Sequence, residues 1–96
     1  MNKFIIAIDI GNSNIVIGLN RKRKWVKIYR INTKTEINYW SFEKKIKKLI
    51  KINKINPSDV QLVSISSVVP NMTDIVKLVV NDLLCKKILF LDPEKT

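Results

Sequence analysis

Apolar and polar positions divide the first third of the chain into three short strands. Two apolar runs, residues 4–10 and 15–19, flank the polar segment 11–14, a pattern typical of an antiparallel hairpin. A cationic turn at residues 20–24 leads into residues 25–31, where apolar and polar positions alternate approximately. That alternation predicts a third antiparallel strand with both faces partly covered.

The rest of the chain combines helical and strand patterns. Apolar residues recur at spacings of three and four over about 39–53 and about 72–85, which predicts two amphipathic helices. The largely apolar runs 60–66 and 88–91 predict two further strands, the first covered on both faces and the second buried. The candidate helix caps are Thr35 or Asn38 for the first helix and Asn71 or Ser67 for the second.

The predicted elements follow in the order strand, strand, strand, helix, strand, helix, strand. This is the order of a ribonuclease H-like half-domain, an α/β fold with a mixed sheet. Proteins of the actin, sugar kinase and heat-shock ATPase superfamily carry two such halves and hold nucleotide between them. With 46% hydrophobic residues the chain has the composition of a folded domain, so we expect residues 1–96 to form one domain. Its order of elements resembles that of the N-terminal, ATPase-type half of such proteins.

The composition argues against several classes of site. The chain has no histidine and one cysteine, Cys85, so we expect no internal disulfide, zinc cluster or histidine-dependent catalysis. Cys85 lies in an apolar helical context and is expected to be a buried packing residue. The apolar runs are far shorter than the roughly 20 residues that cross a bilayer, and the N-terminus lacks a signal-peptide pattern. We therefore expect a cytoplasmic protein without membrane attachment.

The formal net charge of +10 raises the question of whether the chain binds nucleic acid. Lysine, isoleucine and asparagine dominate the whole sequence, a bias that an AT-rich coding sequence produces without functional meaning. We favour that interpretation over a nucleic-acid surface. The cationic turn at residues 21–24 and the lysine-rich face of the first helix are interpreted as solvated surfaces, although a basic amphipathic helix can also lie on a membrane.

The polar segment between the first two strands is the candidate site. Asp9 stands near the end of an apolar strand and is followed by Gly11, Asn12, Ser13 and Asn14. Glycine permits the close approach of a ligand, successive backbone N–H groups bind phosphate oxygens, and a carboxylate can hold a hydrated divalent cation. The pattern predicts a nucleotide-phosphate site. The alternative is a plain hairpin turn in which glycine and asparagine supply positive φ and Asp9 caps the turn.

Two segments resemble a known family, in the expected order and at about the expected distance. Residues 8–19, IDIGNSNIVIGL, resemble the opening of type III pantothenate kinases, whose usual form is D-x-G-N-T-N. Residues 66–70, SSVVP, resemble that family's second segment. The resemblance runs through essentially the whole chain. It implies the N-terminal part of an enzyme that uses ATP to phosphorylate pantothenate, on the route to coenzyme A.

The same resemblance implies roles for particular residues. Asp9 would act through a hydrated Mg²⁺. The ATP phosphates would be lined by Gly11, Asn12, Ser13 and Asn14. Ser13 replaces the family's usual threonine but keeps its hydroxyl. Ser66 and Ser67 would shape the floor of the cleft, or else serve as hydrogen-bond partners at the strand end. A monovalent cation and a homodimer are also implied.

The chain departs from the family pattern in several places. Residues 38–40 stand where an acidic pair is expected, after a segment that does contain Thr33, Thr35 and Glu36. The tail 92–96 resembles a G-P-G-x-K-T segment in which both glycines are replaced. The family's G-A-D-R stretch, which carries the catalytic base, and its D-L-G-T-A-like phosphate motif do not occur in these 96 residues.

No catalytic residue is therefore assigned, and we expect the second half of the site to be absent and this chain alone to be inactive. Two alternatives belong to other functional classes. One is an accessory or regulatory binding module, because members of this family have also been described as transcriptional accessory factors. The other is a degenerate fragment with only a structural role.

Overall fold

A mixed five-stranded sheet and two α-helices make up the part of the chain that the computed structural model describes, residues 3–33, 38–84 and 87–91. Three predictions from the sequence, those for Thr35, Cys85 and the tail 92–96, concern residues outside these ranges. The elements are, in order, β1 (Phe4–Ile10), β2 (Asn14–Arg21), β3 (Lys24–Asn32), α1 (Tyr39–Ile52), a 3-10 turn (Pro57–Asp59), β4 (Val60–Ser67), α2 (Pro70–Leu84) and β5 (Ile88–Leu91). This confirms the predicted α/β order.

The strands are arranged across the sheet as β3-β2-β1-β4-β5. The three N-terminal strands form an antiparallel meander, whereas β4 pairs parallel with β1 and β5 pairs parallel with β4. Because the parallel strands share one direction, the carboxyl ends of β1, β4 and β5 lie at one edge of the sheet. The turn between β1 and β2 and the beginning of α2 lie at that same edge.

One face of the sheet holds the core. Alternate residues of β1, β2 and β4 are buried on this face, including Ile8, Ile17 and Ile65, each at most 2% exposed. Phe42 of α1 and Val76 of α2 belong to the same cluster of buried residues. The helices are amphipathic, as their spacing of apolar residues predicts, and they bury their apolar stripes here.

The opposite face, which we name the open face, is not covered by a helix in the described part of the chain. Apart from the exposed Asp9, its side chains are half-buried in the central strands, and they are exposed in β5. Among its members are Ile5, Ala7, Asp9, Val16, Leu62, Ser64, Ser66, Leu89 and Leu91.

Three expectations about strand burial are wrong, because helices cover only one face and β3 and β5 are the edge strands. β3 is expected to be partly covered on both faces, but Trp25 is 57% and Ile28 is 61% exposed. β5 is expected to be buried, but Leu89 is 45% exposed. β4 is expected to be covered on both faces, but Leu62 on the open face is only half-buried.

The two helices begin differently. Asn38 caps α1, and its side chain accepts a hydrogen bond from the Ser41 backbone while the Ser41 hydroxyl accepts one from the Asn38 backbone. The predicted Asn71 cap of α2 is wrong, because α2 begins at Pro70 and Asn71 lies inside its first turn. Proline suits the first helical position, since its φ is already helical and its missing N–H would have no partner there.

No helix in the described ranges is long and apolar enough to span a bilayer.

Candidate functional site

The turn between β1 and β2 is tight and has unusual backbone geometry for a hairpin. The Gly11 N–H donates to the Asn14 carbonyl at 2.8 Å, so Asn12 and Ser13 are the two central residues. Neither of them has positive φ, nor does Gly11. The plain-turn alternative, in which glycine and asparagine supply positive φ, is therefore wrong. Glycine is favoured at position 11 for another reason, since a Cβ there would lie 3.2 Å from the Asn14 carbonyl oxygen.

Thr33 fixes the shape of this turn from outside it. Its backbone N–H donates to the Ser13 carbonyl at 2.9 Å, and its Oγ1 donates to the Gly11 carbonyl at 3.2 Å. Sequence reasoning did not assign Thr33 to the site. The signal that would have found it is the pairing register of β2 with β3, which places the residue after Asn32 opposite Ser13.

Asp9 and Ser66 are brought together by the parallel pairing of β1 with β4. They are direct cross-strand partners, and Val16 of β2 is the partner of Asp9 on its other side. Directly paired residues project from the same face, so the Asp9 carboxylate and the Ser66 hydroxyl share the open face. Asp9 is exposed and Ser66 is half-buried. The predicted acid and one predicted serine therefore meet beside the turn.

Ser67 lies on the other face and has a different environment. Its hydroxyl donates to the Val69 carbonyl at 3.1 Å and accepts from the Val69 N–H at 3.0 Å. The Val69 carbonyl also accepts the Thr73 hydroxyl at 3.1 Å, in the first turns of α2. Of the two roles considered for Ser67, this geometry supports the hydrogen-bonding role at the strand end and not a place on the cleft floor with Asp9.

The carboxylate content of the site limits the cation it can hold. No group of three or more histidine, cysteine, aspartate or glutamate side chains gathers anywhere in the described ranges. Mg²⁺ usually keeps several waters and is bound through one or two carboxylates together with substrate phosphates. A single exposed carboxylate beside a polar turn fits a hydrated Mg²⁺ that arrives with a nucleotide. It does not fit a metal site made of protein ligands alone.

A shifted pKa is found outside the candidate site, at Tyr39, where α1 contacts α2. The Tyr39 hydroxyl of α1 donates to a carboxylate oxygen of Asp82 in α2, and this hydrogen bond is the main cause that raises the pKa of Tyr39 to about 12. The neutral phenol is therefore favoured, and the link between the two helices persists through neutral pH.

Comparison with solved structures defines the class of fold. The structure is similar to YeaZ from Pseudomonas aeruginosa, with a TM-score of 0.68 and 9% identity, covering 94% of this chain and 44% of that chain. It is also similar to the ROK hexokinase from Thermus thermophilus, with a TM-score of 0.65 and 8% identity, covering 93% of this chain and 33% of that chain. The fold is thus that of the actin-like sugar kinases and ATPases, as the order of elements predicts.

Sequence comparison gives the family within that class. The model of the type III pantothenate kinase family matches residues 5–96. A type III pantothenate kinase from Bifidobacterium animalis subsp. lactis is 41% identical over 68 residues, which cover 71% of this chain and 27% of that relative. The chain belongs to the type III pantothenate kinase family. It spans about a quarter of the length of that relative and less than half of either of these two structures.

Proposed function

We propose that this chain forms the phosphate-binding wall of an ATP-dependent pantothenate kinase site, the N-terminal part of an enzyme of coenzyme A biosynthesis. The observation that carries the proposal is the meeting of Asp9 and Ser66 beside the Gly11–Asn14 turn, at the carboxyl ends of two parallel strands. Open α/β sheets bind their ligands at such edges. The family match over residues 5–96 supports the choice of substrate.

Each part of this wall has a chemical task in phosphoryl transfer, which depends on positioning and on neutralising charge. Asp9 would hold a hydrated Mg²⁺, which supplies positive charge next to the transferring phosphate. Backbone N–H groups and polar side chains of residues 11–14 would position the phosphates, with the Ser13 hydroxyl as one donor. Thr33 would keep that turn in shape through its two hydrogen bonds.

The wall does not supply a base for the acceptor hydroxyl. The family's base-carrying G-A-D-R stretch and its second phosphate motif are not found in the sequence. General-base catalysis requires a proton acceptor within hydrogen-bond reach of the attacking hydroxyl. We therefore propose that this chain alone binds nucleotide weakly and does not turn over.

Titration with Mg-ATP tests the proposal directly. Amide chemical shifts of the wild-type chain are expected to change around residues 11–14, and the changes should disappear in Asp9→Asn. Asp59→Asn is the matched control, because it removes the same charge at the opposite edge of the sheet, where β4 begins, and its response should equal that of the wild type. A folded sample without shifts would mean that the motif serves only as scaffold.

Turnover is tested separately. Phosphopantothenate formation by this chain above the level of Asp9→Asn would contradict the inactivity that we propose. The monovalent cation and the homodimer implied by the family resemblance stay predictions, as does the cytoplasmic location expected from the sequence.

A further inference from the structure

A groove lies between β3, which is an edge strand of the sheet, and helix α1. It is separate from the Asp9 site, which lies at the carboxyl ends of β1 and β4. It encloses about 320 Å³ and is lined by Tyr29, Arg30, Ile31, Lys45, Lys48, Leu49 and Ile52. Three of these residues are cations and none is a carboxylate. Its apolar members include the buried Leu49 and Ile52, which is 59% exposed. The groove therefore combines an apolar floor with a positively charged border.

The strand beside this groove has an unpaired edge. Among the described residues β3 pairs only with β2. The hydrogen bond from the Thr33 N–H to the Ser13 carbonyl shows that Thr33, and with it every second residue back along β3, points its peptide groups towards β2. Because antiparallel pairs alternate between bonded and non-bonded, the peptide groups of Ile28 and Arg30 face away from β2. Such a row of N–H and C=O groups is a template on which another extended chain can pair.

Apolar and cationic side chains accompany that edge. Two large apolar side chains of β3 are largely exposed, Ile28 at 61% and Trp25 at 57%. Neighbouring exposed apolar side chains of this size can mark a surface that binds another protein. Lysines on an edge strand commonly prevent pairing between copies, since like charges would meet. The same cations favour a strand of opposite charge, so charge complementarity selects one occupant over a second copy of this chain.

We propose that the β3 edge and the adjoining groove bind an extended, acidic segment of another polypeptide. The segment adds as a strand beside β3, places one apolar side chain against Leu49 and Ile52, and pairs its carboxylates with Arg30, Lys45 and Lys48. The proposal does not depend on nucleotide binding, because the groove shares no residue with the Asp9 site. A nucleic-acid backbone would use the cations but neither the apolar floor nor the peptide edge.

The probe, called the glutamate–valine peptide, is a synthetic twelve-residue peptide with the repeat Glu-Glu-Val-Val. Because side chains of a strand alternate between its two faces, this repeat presents both glutamate and valine on the face that meets α1. Amide shifts upon titration are expected at residues 28–31 and 45–52, and affinity should fall as salt rises. Two peptides of equal length serve as comparisons, one with the repeat Lys-Lys-Val-Val, the other the glutamate–valine peptide N-methylated at every residue. Both should fail to bind, the first because of its charge and the second because N-methylation removes the N–H groups that pair with a strand.

Two double variants locate the binding on the protein. Lys45→Glu/Lys48→Glu should weaken binding at least about tenfold, the sum of two modest ion pairs lost and replaced by repulsion. Lys44→Glu/Lys51→Glu changes the net charge equally on the same helix, at exposed residues that do not line the groove, and should leave the affinity within about twofold of the wild type. Should the first double variant not fold, Lys45→Gln/Lys48→Gln supplies the same comparison.

Three results would overturn the proposal. The first is no binding of the glutamate–valine peptide to the folded chain. The second is equal weakening by both double variants, which would make net charge the cause. The third is a duplex oligonucleotide that produces the same shifts at lower concentration than the peptide, which would assign the groove to nucleic acid. An absent response to Mg-ATP with retained peptide binding would count against the kinase proposal alone.

Discussion

The two hairpin turns of the β1-β2-β3 meander differ in the backbone conformation of their central residues. Both join antiparallel strands through two central residues. In the second turn these are Lys22 and Arg23, and both are left-handed, with φ of 54° and 65°. In the first turn neither Asn12 nor Ser13 has positive φ. The residue types would suggest the reverse, because asparagine tolerates the left-handed region better than lysine or arginine does.

The difference shows what sets the shape of each turn. Left-handed central residues match the right-handed twist of the flanking strands, so the second turn takes the shape that the strands favour. The first turn does not, and it is held instead by its neighbours. Thr33 donates two hydrogen bonds to it, and the Val68 N–H donates to the carbonyl of Ile10 at 3.0 Å, just before it. The shape of the first turn therefore depends on contacts with segments outside it.

The largest expected effect on stability comes from the burial of the residue that follows each turn. Ile15, next to the first turn, is fully buried, whereas Lys24, next to the second, is exposed. We expect Ile15→Ala to lower the free energy of unfolding by about 3 kcal/mol, because it leaves a cavity in the core. Lys24→Ala should change it by less than about 0.5 kcal/mol. Urea denaturation measures both, and equal losses would remove the contrast between the turns.

A gain in stability is expected at the second turn. Replacing its central residues by the pair that this geometry favours, Lys22→Asn/Arg23→Gly, should raise the free energy of unfolding by about 1–2 kcal/mol, because left-handed backbone is costly for residues with a long side chain. The matched change in the first turn, Ser13→Gly, should lower it by about 0.5–1 kcal/mol, since Ser13 needs no positive φ and glycine gains freedom when unfolded. Thermal and urea denaturation would reveal the opposite signs, and a gain at both turns would refute the comparison.

The smallest effect tests the external support of the first turn. Thr33→Val keeps the shape of the side chain but removes the hydroxyl that donates to the Gly11 carbonyl. It should cost about 1 kcal/mol, the value of one hydrogen bond. It should also reduce the amide shifts that Mg-ATP causes around residues 11–14. Thr33→Ser keeps the hydroxyl and is the control. If the two variants behave alike, the hydroxyl has no part in shaping the turn.

Much of the fold follows from local pattern. The apolar runs of the first two strands, the spacing of apolar residues in the helices and the candidate cap Asn38 are properties of short segments, and the structure confirms them. The burial of β3 and β5 could not be read in the same way. β5 is as apolar as a central strand, and β3 contains apolar residues on both of its faces. Only the order of strands in the sheet makes these two strands the edges.

The candidate site was predicted less completely than the fold. Asp9 and the turn were identified by residue type, and their meeting with Ser66 required only that β1 and β4 lie parallel. The direction of Ser67 depends on strand register, and the contribution of Thr33 depends on how β3 pairs with β2. Both are contacts between distant parts of the sequence, so no single segment contains them.

The alternation of Asp9 with Ile8 and Ile10 has a consequence for folding fidelity. Both isoleucines are at most 2% exposed, while the carboxylate between them is exposed. A slip of β1 by one residue against its neighbours would turn all three side chains to the opposite faces. The carboxylate would enter the core without a partner, which costs several kcal/mol, and two isoleucines would face water. Asp9, which we propose as the residue that holds the cation, therefore also disfavours pairing of β1 in a register shifted by one residue.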